Sequence, residues 1–123
     1  MRLQRHLAAV LAGGAALLLA GSASAHAHLV KSTPAANATV AAPTTISLTF
    51  NETLTPAFSN FELSMPAMNG MKVTVKTTVS KDRLTIVGTP KGKLMPGAYL
   101  ITWHAASADD GHKLDGTVAF TVK

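Results

Sequence analysis

The chain has 123 residues, a formal net charge of +5, 47% hydrophobic residues and no cysteine. Its basic residues are scattered and form no arginine-rich patch, which argues against nucleic acid as a partner. The lack of cysteine excludes disulfide stapling and thiolate metal ligands, so stability must come from packing one modest core.

Residues 1–25 have the pattern of a secretory signal. A short start carrying Arg2 and Arg5 leads into an apolar run from Leu7 to Ala20, shorter than the roughly 20 residues a membrane span needs. Ala23-Ser24-Ala25 supplies the small-x-small pattern that signal peptidase accepts. The expectation is cleavage after Ala25, giving an exported domain of residues 26–123 that begins with His26. No later run is long enough to span a membrane.

From there the dominant period is two. Ile46, Leu48 and Phe50 share one face of the run from Thr45. Phe61 to Ser64, Lys72 to Thr77 (Val73 and Val75 inward) and Arg83 to Val87 continue the pattern. Tyr99, Ile101 and Trp103 share a face, as do Val118, Phe120 and Val122 in the last run. Turn signals separate these runs at Ala42-Pro43, Asn69-Gly70, Lys81-Asp82, Gly88 to Gly92 and Met95-Pro96-Gly97. Short strands at regular spacing without helical periodicity predict an all-β fold, an antiparallel β-sandwich, with an up-and-down barrel as the alternative.

Three constellations carry chemistry. The first is the expected N-terminus, His26-Ala27-His28. A cleaved His26 offers a free α-amino group, whose pKa is about 7.7–8.0, together with its imidazole Nδ1. Nitrogen ligands in a plane suit Cu(II). His28, third from that amine, could bind Cu(II) through the intervening backbone nitrogens, a mode that competes for the same amine. The plain alternative is a pair of idle terminal histidines.

The second is Asp109-Asp110-Gly111-His112, where a carboxylate and an imidazole two apart can face one metal if Gly111 lets the loop bend. Alone, Asp-x-His also fits an ordinary surface turn. His104, opposite Trp103 on its strand, is a weaker candidate and fits a structural or surface histidine better. The third is Met65-Pro66-Ala67-Met68-Asn69-Gly70-Met71. Its spacing of three fits neither strand alternation nor, with Pro66 and Asn69-Gly70 inside it, a helix. Thioether sulfur prefers Cu(I) and has little affinity for zinc, magnesium or calcium, although the methionines could equally form an adaptable apolar cover. Met95, in a Pro-Gly turn, fits the cover better. Copper is the metal that uses nitrogen and oxygen donors in one oxidation state and soft sulfur in the other.

With these residues in view, the chain resembles the periplasmic copper-resistance protein CopC family, including its PcoC-type members. The likeness covers the whole of 26–123. It is carried by His26-Ala27-His28-Leu29, Ser32-Thr33-Pro34-Ala35, Leu48-Thr49-Phe50-Asn51-Glu52, Pro96-Gly97-Ala98-Tyr99, Trp103, the Ser107 to Lys113 loop and Phe120-Thr121-Val122-Lys123. The resemblance implies a cupredoxin- or immunoglobulin-like Greek-key β-sandwich of about seven strands. It implies Cu(II) bound by His26, Asp110 and His112, with His28 matching the second histidine of the family's start. It also implies Cu(I) held by Met65, Met68 and Met71. Two departures stand out. The carboxylate is doubled as Asp109-Asp110, with Asp110 keeping the Asp-Gly-His spacing. The methionine loop runs straight into Lys72-Val73 without the histidine and further methionines of PcoC-type members.

The expected function is therefore an exported, periplasmic copper carrier or buffer in copper resistance or homeostasis, not an enzyme. Its partners would be copper ions and membrane or periplasmic copper-transport proteins, with no nucleic acid. A histidine-brace copper monooxygenase of the lytic polysaccharide type is the alternative, weakened by the presence of one Trp and one Tyr, both in a core-facing run. A metal-free adhesion or scaffold sandwich is the third.

Overall fold

Alternation of small and large side chains becomes sandwich geometry directly. In the computed structural model, which describes residues 27–123, Ile46, Leu48 and Phe50 are all buried while Ser47 and Thr49 between them are half-buried. The described strands are β1 (Leu29–Thr33), β2 (Thr39–Val40), β3 (Ile46–Phe50), β4 (Asn60–Met65), β5 (Met71–Val73), β6 (Val75–Val79), β7 (Thr85–Pro90), β8 (Gly97–Ala106) and β9 (Lys113–Val122). One sheet runs β1-β3-β7-β6 and the other β2-β9-β8-β4-β5. Neighbours in each sheet are not all consecutive in the chain, which is Greek-key connectivity. All pairs are antiparallel except β2 with β9.

The two inner faces meet in one core. Ile46, Leu48, Phe50 and Ile86 come from the first sheet; Phe61, Leu63, Tyr99, Ile101, Trp103, Val118 and Phe120 come from the second. Phe50 meets Trp103 edge-on at 5.1 Å, and Tyr99 stacks on Phe120 at 5.3 Å. Burying each such side chain stabilises the fold by about 1.5–3 kcal/mol relative to exposure.

The strand count exceeds the expected seven for local reasons. The apolar run at Lys72 to Thr77 is not one strand. It breaks at Thr74, whose carbonyl accepts the Lys91 amide at 3.0 Å, so that β5 joins one sheet and β6 the other. Val73 and Val75 still both pack against the core. β1 and β2 lack the alternation that would have marked them. Gly88 does not begin a turn but lies inside β7, opposite Ile46 and Thr77. A Cβ there would lie 2.1 Å from Phe61 Cζ, so the missing side chain is space that Phe61 fills.

β8 spans the molecule. Its Gly97 end lies against Met65, and its Ala106 end opens into the 107–112 loop. At about 3.4 Å per residue the two ends of this strand are roughly 30 Å apart.

Candidate metal centre

His26 and the expected signal segment 1–25 lie outside the described residues. The chain from Ala27 onward is firmly held. Ala27 is buried in the core, with 1% of its surface exposed. His28 is exposed, and its backbone is clamped on both sides by Asn51. The His28 amide donates to Asn51 Oδ1, and the Asn51 amide donates to the His28 carbonyl at 3.1 Å.

The Asp-x-His loop is built on the same 51–54 segment. The Ala108 amide donates to the Thr53 carbonyl at 2.9 Å, Leu54 bridges Ser107, and the fully buried Ser107 gives its hydroxyl to Glu52 Oε1 at 2.9 Å. The loop closes on itself through Ser107 N–H to the His112 carbonyl and Gly111 N–H to the Ser107 carbonyl, both 2.9 Å. Gly111 has φ +73°, a left-handed conformation that other residues adopt only at a cost. The His112 amide donates to Asp110 Oδ1 at 2.9 Å, folding that carboxylate back toward His112. The Asp109 backbone is instead tied to the Ser107 hydroxyl at 3.3 Å. Asp109, Asp110 and His112 are all exposed. His28 and the Asp-x-His loop thus share one end of the sandwich, hung on Asn51 to Leu54. Among the described residues no three His, Asp or Glu side chains form a metal-holding group.

The methionines lie at the opposite end, and only one of them is in a loop. Met65 is the last residue of β4, 3% exposed and part of the core. Met71 opens β5 directly opposite it in register. Between them Pro66–Met68 makes one 3-10 turn and Asn69 and Gly70, with φ of +59° and +69°, reverse the chain. Met68 is 48% exposed on that turn. A cavity of about 510 Å³ lies beside this hairpin. Met65 and Met71 line it and Met68 does not; Met95, Leu94 and Tyr99 line the other wall. Sequence spacing assigns Met95 to a cover role, and nothing in its own neighbourhood in the chain marks it. Its place on the same cavity as Met65 comes from the fold, which sets the 91–95 connection across from the β4–β5 hairpin.

His104 stands on the outer face of β8, within an ionic row. Its Nδ1 meets Asp115 Oδ1 at 2.7 Å and its Nε2 meets Glu62 Oε1 at 3.1 Å, while Lys72 Nζ donates to Glu62 Oε2 at 2.8 Å. The hydrogen bond to Asp115, then that to Glu62, raises its pKa above the ordinary 6.5. The hydrogen bonds from Lys72 and His104 hold the Glu62 carboxyl below its usual range. Both ring nitrogens are engaged on opposite sides of the ring, which fits a structural role.

Fold and donor placement define a small Greek-key β-sandwich that carries nitrogen and oxygen donors at one end and thioethers at the other. Residues 29–123 match the CopC domain model, and the chain belongs to the CopC family. It is 41% identical over 124 residues to copper resistance protein C of Xanthomonas campestris pv. juglandis, covering 97% of each chain. Over 121 residues it is 40% identical to copper resistance protein C of Escherichia coli, covering 94% of this chain and 95% of that one. The crystal structure of PcoC, a methionine-rich copper resistance protein from Escherichia coli, superposes with a TM-score of 0.73 at 38% identity. That match covers 80% of this chain and all of PcoC's. Among the described residues no helix is long and apolar enough to cross a membrane.

Proposed function

We propose that this protein is a periplasmic copper-binding protein that carries or buffers copper in resistance or homeostasis, and that it is not an enzyme. Residues 1–25 direct export and are removed, leaving His26 as the first residue. Cu(II) is held by the His26 amine and imidazole, Asp110 and His112, with His28 beside them. Cu(I) is held by the methionines of the 65–71 hairpin, and Met65, Met68 and Met71 are the residues sequence points to. Copper-transport proteins of the membrane or periplasm receive or supply the ion.

One observation carries the Cu(II) half. The 51–54 segment hydrogen-bonds the backbone on both sides of His28 and also anchors the Asp110–His112 loop. His26 is one peptide bond from the buried Ala27, so a processed terminus begins at the end of the sandwich where Asp110 and His112 stand. Amine, imidazole and carboxylate are the donors Cu(II) favours. The hydrogen bond from His112 N–H to Asp110 Oδ1 supports Asp110 over Asp109 as the carboxylate ligand. Binding there releases the amine's proton, so Cu(II) affinity should fall as pH drops below the amine's pKa of about 7.7–8.0.

Tyr99 and Trp103 are buried, at 2% and 7% exposure, and so supply no aromatic platform for a polysaccharide. This supports a carrier over a monooxygenase. The two donor sets lie roughly 30 Å apart by strand length, too far for one ion to be shared. Oxidation state would choose the end, and exchange between ends would pass through solution or a partner.

The test is intact-mass analysis of the exported protein, then Cu(II) titration. A mass corresponding to 26–123 and tight binding of one Cu(II) are expected. A retained leader, or no tight Cu(II) binding by the His26 form, would contradict the proposal.

A further inference from the structure

The cavity beside the β4–β5 hairpin has three thioethers on its walls, and they are not the three that sequence spacing selects. Met65 and Met71 are directly paired across β4 and β5, so their side chains share a face with Cβ atoms about 4.5–5.5 Å apart. On the other flank the Met65 methyl lies against Gly97, where a Cβ would be only 2.9 Å from Met65 Cε. Gly97 has φ +142°, so both conformation and space reserve that position for glycine. Met95 is two residues earlier. The turn that presents it is fixed from within, because the Tyr99 hydroxyl donates to the Met95 carbonyl at 2.7 Å.

Met65 therefore forms the floor, at 3% exposure, with Met71 and Met95 at the mouth, at 40% and 50%. Their unbranched side chains, with three rotatable bonds each, can close over an ion without moving the strands. No His, Asp or Glu lines the cavity, so it offers a hard cation no carboxylate and a borderline one no imidazole. Met68 stands outside it on the 3-10 turn.

We propose that Met65, Met71 and Met95 together form the Cu(I) site, with Met95 a direct ligand and Met68 dispensable. This rests on the assignment of this end of the sandwich to Cu(I), and it changes the donor set. Met95, on a separate connection, supplies the third sulfur. Lys72, Lys91 and Lys93 also line the cavity. Lys72 is paired with Glu62, and the ammonium charges of Lys91 and Lys93 oppose loading of a cation, a repulsion that salt screens over about 10 Å at 0.1 M. Cu(I) affinity should therefore rise with a non-coordinating salt, the reverse of a carboxylate site.

The experiment is anaerobic Cu(I) competition against a chromophoric Cu(I) chelator, with copper X-ray absorption to count sulfur neighbours. It uses the processed protein and the variants Met95→Leu and Met68→Leu. Met95→Leu should weaken Cu(I) binding at least about tenfold, as loss of a direct ligand exceeds loss of a supporting contact, and lower the sulfur count from three to two. Met68→Leu should change neither. Thermal melting checks that both variants remain folded, which their exposed turn positions favour. The proposal is overturned if Met68→Leu weakens binding and Met95→Leu does not; the Cu(I) assignment of this end would then stand with the spacing-derived set. Absence of sulfur neighbours in the unmodified protein would instead overturn the Cu(I) assignment itself, and this proposal with it.

Discussion

The two ends of the sandwich solve the problem of placing donors in opposite ways. At the Asp110–His112 end the side chains are exposed, and the frame beneath them is fixed by the Ala108 amide on Thr53 and the Ser107 hydroxyl on Glu52, with Asn51 clamping His28 alongside. At the methionine end one of the proposed donors is itself core: Met65 belongs to the cluster that holds Leu63 and Tyr99 while facing a cavity. Polar donors must stay wet or carry a desolvation cost, so they ride on loops whose frame is buried instead. Thioethers cost little to bury, so the fold can use one residue for packing and for coordination. Substitutions should therefore separate cleanly at the first end and mix stability with binding at the second.

The largest expected effect isolates the first end. One extra residue before His26 removes the terminal amine as a two-point chelator with the imidazole. Loss of a direct ligand should exceed the 10–100-fold typical of supporting contacts, so Cu(II) affinity should drop by more than about 100-fold. Cu(I) affinity should not move. Equal losses at both ends would mean the ends are coupled, against the 30 Å estimate.

The next breaks what the ends share. Gly88→Ala drives a methyl into Phe61, 2.1 Å away, in the middle of the core. Overpacking of this kind costs about 1–3 kcal/mol, measured as a lower denaturation midpoint at unchanged slope. Gly111→Ala, also a glycine, has no neighbour within 4 Å but a φ of +73°. It should cost less in stability and act on Cu(II) binding alone.

Ser107→Ala sharpens the distinction between frame and ligand. It deletes the hydroxyl that donates to Glu52 and accepts from the Asp109 amide. A loss of about 1 kcal/mol in stability is expected. Cu(II) affinity should weaken about tenfold, the low end of the range for supporting groups, and Cu(I) affinity should stay level.

The smallest effect lies between the ends. His104 has a raised pKa, so its pairing with Asp115 and Glu62 stabilises fully below its ordinary pKa of 6.5 and fades as pH climbs through the higher folded value. His104→Gln should remove that falling limb from the stability–pH profile in chemical denaturation. As an exposed cluster it is worth at most about 1 kcal/mol. It should leave both copper affinities intact.

Much of the sandwich is legible because β3, β4, β8 and β9 bury one face and leave the other more open, which writes a period of two into the sequence. β1 carries no such mark because no residue of Leu29–Thr33 is fully buried, so edge position replaces alternation. The break at Thr74 is invisible in sequence because Val73 and Val75 pack on the same core from different sheets. Gly88 reads as a turn because a glycine chosen for Phe61's ring looks, in sequence, like one chosen for a bend.

The Asp110-Gly111-His112 turn is readable because its chemistry is local, down to the glycine that permits it. The clamp of Asn51 on His28 and the partnership of Met65 with Met95 are not. Both join residues far apart in the chain, beside paired strands in one case and across one cavity in the other, through placement that only the fold supplies.

The most direct test of the central claim, that a processed His26 and the Asp110–His112 loop make one Cu(II) site, is electron paramagnetic resonance. Spectra of Cu(II) would be compared on protein starting at His26 and on protein with one residue added before it. A tetragonal spectrum with nitrogen hyperfine structure is expected for the first, and a different, weakly bound species for the second. Identical spectra and equal affinities would show that the amine is not a ligand and would contradict the claim.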